Sequence, residues 1–563
     1  MAAASSLALR RSPTFGLTPW RIGCWVIALV VAAPLIGVLA NLATPSSGAL
    51  AHLAATILPE ILFNTSALVV IVGVATAIVG VATSWLVTMC RFPGSRLLEW
   101  ALLLPLAMPA YIIGYAYTDL LAFAGPLQSG LRALFGWRRG DYWFPDVHSI
   151  GGAGAMFTLV LYPYVYLLAR AAFLEQSICV LEASRVLGST PWRSFARVAL
   201  PLARPAIAAG VALALMEALA DFGTVQYFGI QTFTTAIYRT WFGMGDRVAA
   251  AQLASGLLVA VLALLVLERA SRGQARVGHT SRRYRQITPL RLRGWRGGVA
   301  LFACALPALL GFVLPVLMMA HLHLQAGDDM MGFAFVRLAA NSLGLAALAA
   351  ALTVGAALVL GYGLRRARDR WTRAAIRLAT MGYAIPGTVI AVGVVMWLGR
   401  FDNALDGWMR ASFGLSTGLL LSGSIVALLF AYLVRFLSVG VSAIDAGLGR
   451  ITPSMDDAAR TLGAMPRHVL TRIHAPIMRG SVLTAAILVF VDVLKELPAT
   501  LLVRPFNFDT LAVRVYGLAS DERLAQASTA ALVIVVVGLI PVAVLSWMVR
   551  RARIGGGTAQ GDD

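Results

Sequence analysis

The sequence predicts an all-α integral membrane protein of about twelve transmembrane helices, arranged as two tandem six-helix repeats. Three observations predict it. Of the 563 residues, 59% are hydrophobic and 13% charged, too apolar for a water-facing surface. The apolar residues gather into twelve runs, each able to cross a hydrocarbon core that needs about 20 residues. One polar, Arg-bearing pattern occurs twice, 275 positions apart.

Along the chain, residues 1–21 carry Arg10, Arg11 and Arg21 and lead into an apolar run from Cys24 to Leu42. A signal peptide or twin-Arg leader is the rival reading there. The run is long enough to span and another follows soon after, which favours a retained first helix. Further runs fall near 61–90, 98–124, 153–174, 201–221 and 248–269, completing six spans. A polar, Arg-rich stretch follows, then runs near 297–322, 335–363, 373–399, 415–440, 479–503 and 529–551. The expected organisation is a first half over 1–275, a linker over 276–296 and a second half over 297–563. Helices suit runs this long, because every backbone group inside lipid needs an internal partner.

The net charge of +20 comes from 45 Arg and a single Lys, Lys495. Their distribution argues against nucleic acid, since the Arg residues sit in short segments between apolar runs. With the N-terminus inside, 34 basic residues fall in inner segments and 11 in outer ones. That asymmetry is the positive-inside rule and predicts both termini in the cytoplasm. Cys24, Cys90, Cys179 and Cys304 show no paired spacing, so neither a disulfide framework nor a zinc site is supported. His321 and His323, near Asp328 and Asp329, alternate along a helix and so point to different faces. A metal site there is the weaker reading; polar residues at a helix end are the default.

The repeated pattern is Glu182-Ala183-Ser184, three residues to Gly188, nine to Val198, then Leu200-Pro201. Its copy is Asp457-Ala458-Ala459, three to Gly463, nine to Ile473, then Ala475-Pro476. Pro191, Arg197 and Pro201 recur as Pro466, Arg472 and Pro476 at the same offset. Each copy reads as helix, Gly-and-Pro turn, short helix, and a Pro opening the next apolar run. Upstream, Asn64 and Pro109 match Asn341 and Pro386 at 277 positions, and downstream Phe233, Thr235 and Arg239 match Phe508, Thr510 and Arg514 at 275. Six spans per repeat give both halves one orientation, related by an axis along the membrane normal.

No phosphate-binding loop is encoded, because Lys495 stands between Leu494 and Glu496 rather than after Gly. No catalytic constellation is visible, so the chain reads as a non-enzyme that binds no cofactor itself. Ionisable residues cluster near the end of the fifth run of each half: Glu217 and Asp221, then Asp492, Lys495 and Glu496. Three- and four-residue spacing places each set on one helix face. Charges at membrane depth face a protein interior or a water-filled path. Two readings stand: a pathway lining or gate, and a structural ion pair at the outer helix end.

The paired loops, 182–201 and 457–476, resemble the EAA loop of ABC-importer permeases, EAA-x3-G-x9-I-x-LP. The second copy departs at two positions, with Asp457 for Glu and Ala475 for Leu. The resemblance implies a type I importer fold and cytoplasmic loops that dock on an ATPase dimer, with Glu182, Ala183, Gly188, Pro201, Asp457, Ala458, Gly463 and Pro476 at the matching positions. Residues 220–229, 232–241, 494–500 and 504–516 resemble the ferric-iron importer permeases, whose two six-helix units are fused in one chain. That implies Fe(III) as cargo, a periplasmic binding protein as donor, ATP used by a partner chain, and a bacterial inner-membrane location. Hard Fe(III) prefers oxygen ligands, which the intramembrane carboxylates offer. Tyr238-Arg239 and Arg514-Val515-Tyr516 fall on the outer side, as a docking surface or as amphipathic helices with snorkelling Arg. Thiamine importers also use fused permeases, so a thiamine or other small-solute permease is the alternative. A gradient-driven secondary transporter using the intramembrane acids is a further one.

Overall fold

The computed structural model describes residues 19–45, 48–138, 140–175, 190–272, 290–326, 332–366 and 369–554. Among the described residues, eleven helices are long and apolar enough to cross a membrane, or twelve if a bent pair counts as one span. The first half runs Pro19–Ala40, Leu58–Met89, a broken third span, Ile150–Glu175, Leu200–Ala220 and Arg247–Arg272. The second half opens with Trp295–Ala308, continued as Leu314–Ala326 through a π-turn. It goes on with Phe333–Arg366, Gly387–Phe413, Ile425–Leu448, Ala475–Leu494 and Leu524–Ile554.

The third span of each half is broken where the sequence reads a continuous apolar run. In the first half, Ser95–Ala101 and the 3-10 turn Leu104–Ala107 meet Ala110–Phe135 at 95°. In the second, Arg370–Ala379 and the turn Gly382–Ala384 precede Gly387–Phe413, so the span lies at 387–413 rather than 373–399. The cause is the repeated proline. Met108 and Ile385 are held extended (ψ 117° and 129°) by Pro109 and Pro386, and each proline starts the next helix.

The fifth spans also differ from their apolar runs. Each begins upstream, through a π-turn at Phe195–Ala199 and Leu470–His474, matching positions in the 275 register. The eleventh helix ends at Leu494, not near 503; Lys495 is its C-cap, and a separate short helix covers Pro498–Val503. The break falls where Pro498 removes a backbone donor.

The halves interlock. The first span packs on the ninth span, on Arg370–Ala379 and on the eighth, all in the other half. The seventh span returns the contact, packing against the second, third and fourth spans. Close approach relies on glycine: a Cβ at Gly80 would lie 2.6 Å from Val165 Cβ, and one at Gly210 2.7 Å from Val165 Cα. Small residues are how membrane helices bring backbones together, since lipid is as apolar as the protein core. Along the second span Ile61, Asn64, Leu68, Val72, Thr76 and Gly80 are buried, while Phe63, Val70, Val74 and Ile78 face outward. The only strand pairing among the described residues joins Cys90–Arg91 to Leu290–Arg291, tying the entry of the second half to the loop after the second span.

Candidate functional site: a charged cavity between the halves

The fifth and eleventh helices deliver their last turns to a shared cavity of about 110 Å3. Glu217, Asp221, Asp492, Lys495 and Glu496 all line it, joined by Tyr111, Tyr164, Tyr383 and Arg435. The acids obey the repeat: Glu217 and Asp492 stand 275 positions apart, as do Asp221 and Glu496. That register was available in the sequence and is the signal that pairs them.

The second acid of each pair has a structural task. Asp221 Oδ1 accepts from the backbone N–H of Thr224 at 2.8 Å and of Val225 at 3.4 Å, capping the short helix Gly223–Tyr227. Glu496 does the same for Pro498–Val503, accepting from Ala499 N (2.9 Å), Thr500 N (3.0 Å) and Thr500 Oγ1 (2.6 Å). Arg435 Nη1 adds a fourth donor at 3.2 Å. Glu496 is 4% exposed and Arg435 8%, so this is a buried ion pair with its acceptor lone pairs largely used. Gly387 passes so close that any side chain there would collide with the Arg435 guanidinium.

The first acid of each pair is less committed. Asp492 pairs with Lys495 at 2.9 Å, one turn apart, and both are partly exposed to the cavity. Glu217 is half-buried and lines the cavity together with Tyr164 and Tyr383. Tyr164 and Glu217 come from the first half and Tyr383 from the second, so the two halves share this wall. Gly223 marks another crossing point: a Cβ there would lie 2.8 Å from Leu497 Cδ2 and 2.9 Å from Tyr111 Cβ.

The cavity is therefore rich in oxygen donors, balanced by one lysine and one arginine. Its volume suits a few waters or a single ion. Among the described residues no three His, Cys, Asp or Glu side chains converge as a metal site. His321 bonds Gln325, His323 bonds Thr529, and Asp328 and Asp329 lie outside the described residues.

Arg435 is a cavity residue that the sequence analysis does not single out. It lies within Ile425–Leu448, and the signal was an Arg inside an apolar run. Tyr111, Tyr164 and Tyr383 were missed because an aromatic in an apolar run carries no signature of what it faces.

Of the paired loops, Glu182, Ala183 and Gly188 lie outside the described residues. Pro201 opens the fifth span and Pro476 the eleventh. In the second loop Asp457 and Ala458 are exposed on the helix Pro453–Thr461. Gly463 makes the turn with φ +74°, a left-handed conformation that favours glycine. The loop is fastened by Asp456, the neighbour of the residue the motif picks out. Its carboxylate meets Arg365 Nη2 and His474 Nε2, each at 2.7 Å. Arg365 also donates to the carbonyls of Leu448 and Ile451, joining the loop to the ends of the eighth and tenth spans. Burial pushes the Asp456 carboxyl up, but the hydrogen bonds from Arg365 and His474 and their charge outweigh it and hold it below the usual carboxylate range.

Comparison with known proteins places this geometry. The family described as "Binding-protein-dependent transport system inner membrane component" matches residues 77–267 and again 353–554. The "Fe(3+)-transport system permease protein FbpB 2" of Haemophilus influenzae is 27% identical over 86% of this chain and 89% of its own length. The "Ferric transport system permease protein FbpB" of Actinobacillus pleuropneumoniae is 22% identical over 86% of this chain and 70% of its own. The "Molybdenum transport system permease protein ModB" of Escherichia coli is 29% identical over 34% of this chain and 82% of its own.

Proposed function

The chain belongs to the binding-protein-dependent transport system inner membrane components, and from that membership we propose that it moves ferric iron inward through the cavity between its halves. It is a multi-pass inner-membrane permease subunit of an ABC transporter and not an enzyme. Proteins of this class work with an ATPase and a substrate-binding protein. The observation that carries the iron reading is the 27% identity, along 86% of the chain, to a permease named for Fe(3+) transport. The cavity supports it: four carboxylates and three tyrosines suit a hard cation. In this conformation about 110 Å3 is too little for an organic molecule the size of thiamine.

The mechanism we propose is alternating access. The halves are residues 1–275 and 297–563, joined by 276–296, with both termini and both paired loops in the cytoplasm on the positive-inside argument. ATP binding closes a partner ATPase dimer against the loops 182–201 and 457–476. Each loop runs through a π-turn into the helix that carries the cavity acids, so loop displacement reaches Glu217 and Asp492 through one continuous rod. Glu182 and Asp457 contact the ATPase; Gly188 and Gly463 provide the turns. At the cavity, Lys495 balances Asp492 while Glu217 and Asp221 receive the cargo cation from a periplasmic binding protein. Tyr164, Tyr383 and Glu217 form a wall shared by the two halves, and that wall must part for release.

The test is uptake of radiolabelled ferric iron in cells with and without this chain, with thiamine in parallel and each repeated under ATP depletion. Loss of iron uptake alone on deletion, and its collapse without ATP while the ion gradient is held, is the expected result. Unaffected iron uptake overturns the cargo; uptake that survives ATP depletion overturns the coupling.

A further inference from the structure

A second cavity, of about 790 Å3, opens on the arginine-rich side of the molecule. Both halves build it. The first contributes Met216, Leu265 and Arg269; the second contributes Arg370, Arg373 and Arg377. Spacing of three and four residues sets the last three guanidinium groups on one face of the helix Arg370–Ala379. The opposite face, with Thr372, Ala375, Ile376 and Ala379, is buried, and the helix packs on the first span. No carboxylate occurs among the described residues lining the cavity. The adjacent Asp369 has its carboxylate engaged elsewhere, capping this helix through Thr372 N at 2.8 Å and pairing with Arg21 at 3.3 Å, while its backbone carbonyl accepts from Arg373 Nε at 3.4 Å.

The repeat does not require this concentration of charge on the helix. The matching helix of the first half, Ser95–Ala101, carries one Arg, Arg96. Four guanidinium groups around one cavity repel each other, and a bound anion removes that repulsion. Guanidinium forks match phosphate oxygens bidentately. The floor, with Met216 and Leu265, is apolar and is built by two membrane helices. A free phosphate would leave that floor unused, whereas a lipid covers it with acyl chain. Basic pockets between membrane helices bind anionic headgroups on this chemistry. We infer that the cavity holds an anionic phospholipid, its phosphate on Arg269, Arg370, Arg373 and Arg377 and its acyl chains along Met216 and Leu265. The assignment to the inner leaflet rests on the orientation proposed above; the binding itself does not. Tyr383 lines this cavity and the central one, so the lipid stands behind the wall that separates them.

The experiment uses the full-length chain purified in detergent and titrated with dioleoyl-phosphatidylglycerol or dioleoyl-phosphatidylcholine, with bound lipid counted by native mass spectrometry. Phosphatidylglycerol should bind in preference. Each guanidinium near an anionic lipid contributes about fivefold, so Arg370→Gln, Arg373→Gln and Arg377→Gln together should weaken phosphatidylglycerol on the order of 100-fold. Arg269→Gln alone, on a separate helix, should weaken it about fivefold. The triple Lys replacement at 370, 373 and 377 should keep most of the affinity, and Arg96→Gln all of it. If the triple Gln chain does not fold, Arg269→Gln and the Lys triple decide the matter between them. Phosphatidylglycerol retention equal to wild type in the folded Gln variants overturns the proposal. So does protection from thermal unfolding by inorganic pyrophosphate equal to that by phosphatidylglycerol, which would assign the cavity to a free phosphate.

Discussion

Removing Glu496 should destabilise the protein far more than its single ion pair suggests. The carboxylate holds four donors: Arg435 at 3.2 Å, two backbone amides and the Thr500 hydroxyl. Glu496→Gln keeps the shape but withdraws the charge. It leaves the Arg435 guanidinium, 8% exposed, without its counter-ion, which typically costs about 3–5 kcal/mol. Arg435→Met removes the other partner. Glu496 then keeps its backbone and hydroxyl donors, so the loss should be nearer 2 kcal/mol, that of one charge-assisted hydrogen bond. The double variant should be less damaged than the two losses combined, by about 2 kcal/mol or more, because the charge stranded in each single variant is gone. Equilibrium unfolding of the purified chain in mixed detergent–SDS micelles, followed by tryptophan fluorescence, reads all three. Additivity of the two substitutions within about 0.5 kcal/mol would refute the reasoning. So would equal losses from each, since the asymmetry comes from Glu496 capping the helix Pro498–Val503.

Three further outcomes are expected. Gly223→Val introduces a Cβ 2.8 Å from Leu497 and 2.9 Å from Tyr111, so it should lose about 1–3 kcal/mol and reduce iron uptake; wild-type unfolding and uptake would mean the halves do not meet there. Asp456 has its carboxyl held below the usual range, so the folded state gains stability that is present above the unfolded value of about 3.9 and fades as pH falls through the lower folded value. The stability gap between wild type and Asp456→Asn should therefore be about 1–3 kcal/mol at pH 6 and close as the pH drops below about 4; a gap constant from pH 6 to 3 contradicts the assignment. Gly188→Pro with Gly463→Pro should abolish uptake and ATPase stimulation at normal membrane levels, because proline cannot adopt the φ of +74° seen at Gly463; unchanged transport by the inserted double variant would remove the loops from the coupling path.

The spans were legible because membrane insertion is a composition problem. A run such as 61–90 must be apolar throughout, and Arg must gather at the inner end, here Arg91 and Arg96, whatever the neighbours do. The repeat was legible because its anchors are Gly, Pro and charged residues, which stand out in an apolar background. The cavity acids were legible for the same reason. Their pairing across the halves by the 275-residue register could also have been read, since Glu217 and Asp492, and Asp221 and Glu496, keep it.

What the tertiary structure alone decided is which side of each helix faces what. In a soluble protein, water sorts polar from apolar faces and writes the answer into the sequence. Here the outward face of the second span, with Phe63, Val70, Val74 and Ile78, is as apolar as the buried one, because lipid and protein interior are equivalent solvents. Nothing in the sequence therefore separates Tyr164 and Tyr383, which line the cavity, from aromatics that face lipid. The breaks at Pro109 and Pro386 were equally hidden, since proline inside an apolar run is compatible with a kinked span and with two helices. The identity of the loop anchor also needed the fold. Asp456 and Asp457 are adjacent carboxylates, and the folded positions of Arg365, 91 residues upstream, and His474 fasten the first.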